Sequence, residues 1–192
     1  MHLKTDLEDL ATRYLDLVVA VIQESPKVAL EVFAIRNEQM VYLFGRMSAE
    51  QRATVLDHSQ LTFGHGGEAA LRQELAHPDD VAATRHCGLP DGFVDAATEL
   101  QFDTLVCLRE EARRDAGSAG LAFGIRDLSL LEGIRDATTS RLHRLARANL
   151  FLRMTPAPAF YLLVKMVVAE STNPQRLGIA GLGVMAYEGA AA

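Results

Sequence analysis

Cysteine is scarce in this chain: Cys87 and Cys107 are the only two in 192 residues. They form no CxxC pair and no histidine pair stands at ligand spacing, so neither a zinc site nor a disulfide framework is signalled. A reducing cytoplasm is the expected compartment. Long apolar runs are also missing. The longest, near 159–169 and 177–187, fall short of the roughly 18 residues that suggest a membrane span, and Lys165 interrupts the first. The acidic start, with Asp6, Glu8 and Asp9, lacks the apolar core of a signal peptide. No membrane association is expected. Basic charge is in deficit, with 19 Lys and Arg against 25 Asp and Glu. A net charge of −6 repels nucleic acid on average and argues against a free-standing DNA binder.

Catalytic constellations are absent as well. The glycines Gly178, Gly181 and Gly183 superficially resemble a phosphate loop, but no strand precedes them and the chain ends before an acidic partner about 20 residues on. Small residues that let helices pack closely explain them better. His65 and His77 read as loop histidines, and the pairs Asp79–Asp80 and Glu110–Glu111 as solvated faces or caps. Neither an enzyme nor a cofactor is expected.

What the chain does contain is one phrase written twice. Residues 29–37 and 119–127 match at an offset of 90: Ala29 with Ala119, Phe33 with Phe123, Ile35 with Ile125 and Arg36 with Arg126, while Leu15 matches Leu105 further upstream. A fixed offset with matching residue types marks a duplicated structural unit. With 49% hydrophobic and 23% charged residues, each copy can build a core.

Leu3, Leu7, Leu10, Tyr14, Leu17 and Val21 step by fours and threes, which predicts a long amphipathic opening helix. Packing on its own domain is the plainer reading of this stripe, with a short coiled coil as the alternative. Ser25 and Pro26 suit the N-cap and first position of a second helix, to about residue 35. Asn37 is expected to cap a short helix over 38–45, and Ser48 with Gln51 has the form of a capping box opening a fourth, to about residue 58. Residues 60–67 read as an extended crossing or loop, 68–76 as a short helix, and His77 to Asp80 as a turn capping another to about 85. Gly88, Pro90 and Gly92 mark the best linker. The second copy predicts helices over 94–114, up to 123, from the cap Asp127 to 136, and over 141–149, then a break at Pro156 and Pro158. A buried helix over 159–169 and a last one containing 177–187 close the chain. No segment reads as a sheet strand, so the expected fold is all-α, with tandem helical domains at 1–90 and 91–192.

Charge separates the copies. Residues 1–96 carry 8 basic and 15 acidic side chains, net −7; residues 97–192 carry 11 and 10, net +1. Much of the contrast comes from Arg135, Arg141, Arg144, Arg147 and Arg153. Arg141, Arg144 and Arg147, with His143, fall on the second helix of a bihelical turn, the element that enters the major groove in helix-turn-helix proteins. Guanidinium groups there suit phosphates or guanine edges. The competing readings are a solvated face or pairing with acidic residues of a partner subunit. The corresponding first-copy helix carries Arg52, Asp57 and His58.

Tyr14, Leu15, Asp16 and Leu17, then Ile22, the run 28–35, Asn37, Glu38, Gln39 and Met40, Gln51, and Ser59, Gln60 and Leu61 together resemble the bacterial flagellar transcriptional activator subunit FlhD. The second copy shares the pattern at Asp115, Ser118, Ala119, Gly124 and Ile125, and more loosely at Ala148, Asn149 and Leu150. Asp79, Asp80, Val81 and the run 86–89 are similar to the acidic, His-containing arm of that family, which makes Arg85 and His86 candidates for partner or DNA contact. The resemblance covers most of 10–90 and, more weakly, 100–153. It implies two tandem FlhD-like helical domains and a transcriptional regulator subunit that binds flagellar promoter DNA only with an FlhC-type partner, which carries the zinc. Family members are usually single copies that dimerise, so a tandem chain implies a dimer-like unit made covalently, with a homodimer as a further assembly. The cysteine that follows Asn-Gln-Leu in the family is absent, since Thr62 and Phe63, and Phe151 and Leu152, occupy that stretch. An intersubunit disulfide there cannot form. The alternative function is a helical antagonist or adaptor that binds the partner without touching DNA.

Overall fold

The computed structural model describes residues 3–33, 35, 38–58, 63–65, 71–72, 75–76, 88–148, 152–154 and 158–169. The expected cap Asn37, the helices over 77–85 and 177–187, and the motif at 59–61 lie outside them. Among the described residues the fold is all-α apart from one short ribbon. The first half comprises α1 (Leu3–Glu24), α2 (Pro26–Val32), α3 (Glu38–Gly45), α4 (Ala49–His58) and β1 (Phe63–His65), followed by helical residues at 71–72 and 75–76. The second comprises α5 (Asp91–Arg114), α6 (Ala116–Phe123), α7 (Leu128–Arg135), α8 (Thr139–Ala148), β2 (Leu152–Met154) and α9 (Pro158–Val168). The 90-residue offset carries α3 onto α7 and α4 onto α8 residue for residue, and the start of α2 onto that of α6.

Local chemistry sets most boundaries. Pro26 opens α2, as expected, though the Ser25 side chain makes no capping bond. Its counterpart Asp115 ends α5 and caps α6, accepting from the backbone N–H groups of Gly117 and Ser118 at 2.7 and 3.1 Å. The capping box at α4 is complete: Gln51 N–H donates to Ser48 Oγ at 3.2 Å, and Ser48 N–H to Gln51 Oε1 at 2.9 Å. Gly124 closes α6 in the left-handed region, φ 64°, which a side chain would oppose.

Three boundaries differ from expectation. α2 stops at Val32, where the Phe33 N–H closes the turn on Ala29. α5 begins at Asp91, inside the expected linker, because the fixed geometry of Pro90 suits it to precede a helix and the Phe93 N–H reaches its carbonyl. α8 begins at Thr139 rather than 141, because the Thr138 hydroxyl accepts from the Arg141 N–H at 3.2 Å. The ribbon is the further departure. β1 and β2 pair antiparallel, Phe63 with Met154, Gly64 with Arg153 and His65 with Leu152. Adding 90 to one partner and subtracting 90 from the other turns the first pair into the second, so the register is closed under exchange of the copies. Three residues per strand carry no periodic signal by themselves; partner supply is what makes them strands.

The same exchange builds both cores. One cluster holds Tyr14, Phe33 and Phe44 from the first half with Leu163, Val164 and Val167 from α9; Tyr14 and Phe33 meet edge to face, 5.8 Å between centroids. The other holds Phe123, Leu130, Leu142 and Leu145 from the second half with Leu71 from the first, and Leu75 packs against it. Each core is therefore completed by a helical segment of the other half. Helices α1 and α5 also pack on one another, so the opening stripe serves both its own half and its partner. Their equivalent positions 13 and 103 meet, Arg13 Nη1 donating to Asp103 Oδ2 at 2.7 Å.

Arg72, on the exchanged segment, pairs with Asp127, the N-cap of α7. The Ser129 hydroxyl, then Arg72, hold the Asp127 carboxyl down at about 2, below its ordinary 3.8. A depressed carboxylate stabilises the fold above its unfolded pKa and loses that contribution as pH falls through the folded value. Stability is thus expected to fall between pH 4 and 2, and Asp127→Asn to flatten the curve in that window, as read by urea titrations at each pH. An unchanged pH slope in the variant would show that other carboxylates govern acid unfolding.

Candidate nucleic-acid interface

The bihelical unit of the second half is α7, a turn at 136–138, and α8. Leu142, Leu145 and Ala146 face the core, and this fixes the roll of α8; Ser140, His143, Arg144 and Arg147 are exposed. Side chains of α5 hold the unit by its backbone. Gln101, 1% exposed, donates to the Ala146 carbonyl at 2.9 Å. Arg109 donates to the Ala137 carbonyl at 3.4 Å and to Thr139 Oγ1 at 3.3 Å, and Arg113 to the Arg135 carbonyl at 3.2 Å. The Arg135 carbonyl ends α7, that of Ala137 lies in the turn and that of Ala146 in the last turn of α8, all places where intrahelical donors run out.

The first half solves the same problem with other residues. Gln23, the equivalent of Arg113, donates to the Gly45 carbonyl at 3.1 Å, the equivalent of Arg135. The Met47 carbonyl, matching Ala137, is held at 2.9 Å by Arg52 of α4, which also pairs with Asp16 at 2.6 Å. The arginine has moved from one packing helix to the other while its acceptor stayed in place.

The basic stretch divides once its partners are known. Arg135 is tied to Asp136 by two bonds, 2.9 and 3.1 Å. Arg141 is half-buried, and its Nη2 donates to the carbonyl of Leu75 in the exchanged segment. Arg144 and Arg147 are exposed and not ion-paired among the described residues. They stand three apart on one face of α8, and their first-half equivalents are Thr54 and Asp57. His143 lies over Phe102, 4.8 Å between ring centroids. Arg85 and His86 lie outside the described residues. The candidate DNA residues Arg144 and Arg147 are thus brought to one open face, and Arg141 is directed inward.

The clamps Gln101, Arg109 and Arg113 carry no motif in the sequence. A signal existed for Arg109, which follows Leu105 by four in the inward stripe of α5 and is 9% exposed. Burial, then the carboxylates Asp6 and Glu111, push the Cys107 thiol up to about 11, so this cysteine stays protonated at neutral pH. Among the described residues, no three His, Cys, Asp or Glu side chains are placed to hold a metal, and no helix is long and apolar enough to cross a membrane. No family model, curated protein or solved structure matches the chain.

Proposed function

We propose that this chain is a tandem FlhD-like subunit of a transcriptional regulator, cytoplasmic and non-enzymatic, that binds flagellar promoter DNA together with an FlhC-type, zinc-carrying partner. The observation that carries the reading is the open guanidinium pair, Arg144 and Arg147, on the second helix of a clamped bihelical turn. Such a helix offers guanidinium donors to phosphates while its backbone is held by side chains of α5. The exchanged cores support the dimer-like part of the proposal, since each half supplies what the other lacks. A subunit whose partner provides most phosphate contacts has no need to be basic overall.

The test is fluorescence anisotropy on labelled flagellar promoter DNA at stated salt, with the chain alone and then with the FlhC-type partner. Sequence-selective tightening only in the mixture is the expected result; failure to form a complex would sink the family reading.

The adaptor or antagonist reading has its own observation. Leu121 and Leu128 are exposed, at positions where the first half carries Glu31 and Glu38. Among the described residues bare leucines occur in the second half alone, and they suit a protein partner. A complex that forms while promoter occupancy falls would favour it.

A further inference from the structure

We propose that Arg141 is a positioning residue: through the Leu75 carbonyl it lets the first half set the placement of the basic helix in the second. The inference rests on the proposed role of α8 and deepens it. Leu75 lies at the corner of the bihelical unit. Its carbonyl accepts from the Arg141 guanidinium on α8, while a Cβ built on Gly133 of α7 would stand 3.3 Å from its Cδ1. One first-half residue therefore touches both helices of the turn, by main chain on one side and side chain on the other.

The repeat supplies an independent argument. The equivalent of Arg141 is Gln51, and Gln51 Nε2 donates at 3.3 Å to the carbonyl of Val167, on the helix that the second half contributes to the first. Two different side chains at one repeat position thus make the same kind of bond to the exchanged helix. The position is used for joining the halves, and the positive charge of Arg141 is incidental to that use. Its Nε is also buried, with no hydrogen-bond partner among the described residues, an unmet donor that costs stability and that the Leu75 bond does not relieve.

The experiment is amide exchange on the intact chain, read in residues 141–146 and 71–76, for Arg141→Ala, Arg141→Gln and Arg144→Ala. Arg141→Ala is expected to speed exchange up to about tenfold in both segments together, the loss of one hydrogen bond. Arg141→Gln should restore most of the protection, as Gln51 serves in the first half, and Arg144→Ala should change neither segment. Gly133→Leu, which crowds Leu75, should loosen the same two segments with Arg141 intact. In promoter binding with the FlhC-type partner, Arg141→Ala should weaken affinity with the salt slope unchanged. Unaltered exchange in Arg141→Ala overturns the proposal, and so does a slope lowered by about one unit, the mark of a lost phosphate contact. If the parent complex shows no salt-dependent DNA binding, the DNA reading of α8 fails while the exchange data still decide whether Arg141 joins the halves.

Discussion

Leu71→Ala is expected to destabilise the chain by about 2–5 kcal/mol, the range for removing a leucine side chain from a packed core. Leu71 is fully buried, yet the core it fills belongs to the other half, among Leu105, Phe123 and Leu142. The loss should therefore register equally in the half whose sequence has not changed. In urea, with tryptophan probes placed in each half, both probes should report one shared transition moved to lower denaturant. Leu163→Ala should act reciprocally, since Leu163 is fully buried in the core built by Tyr14, Phe33 and Phe44. Total stabilities of single domains run to about 5–15 kcal/mol, so either substitution removes a large share. Two separate transitions, with only the mutated half shifted, would contradict the exchanged arrangement.

Arg144→Ala combined with Arg147→Ala should weaken promoter binding by the assembled complex roughly 50-fold at about 0.1 M salt. Each phosphate contact on B-DNA contributes about 0.9 to the slope of log K against log salt, and so about 0.9 log units at that concentration. Two contacts give a slope lower by about two units. Stability should barely change, because both side chains are exposed and have no ion-pair partner among the described residues. Asp57→Asn, at the first-half equivalent of Arg147, is the control and should leave the slope alone. A double variant whose salt slope equals the parent's would remove α8 from the DNA interface.

The contrast between these predictions reflects what was legible in the sequence. Ser48 with Gln51, Asp127 and the turn at Pro26 act within a few residues of themselves, so their spacing predicts α4, α7 and α2 directly. The apolar steps along α1 predict an inward face for the same reason. Arg141, Arg144 and Arg147 look alike in sequence, but one is turned onto Leu75 and two are open. A guanidinium can donate to a phosphate or to a main-chain carbonyl, so residue type could not separate them. The clamps show the same limit: Arg109 and Arg52 serve equivalent carbonyls from different helices, and no local pattern says which.

By itself the sequence determined the all-α class, the order and approximate ends of most of the described helices, and the 90-residue repeat, because capping, proline geometry and helical periodicity are short-range effects. Only the tertiary structure decided that Leu71 and Leu163 cross to the opposite cores, that β1 finds β2, and that Arg141 is a joint between halves. Hydrophobic burial has no direction: a pattern shows that a face leaves water, and which surface receives it depends on chain geometry across the whole molecule.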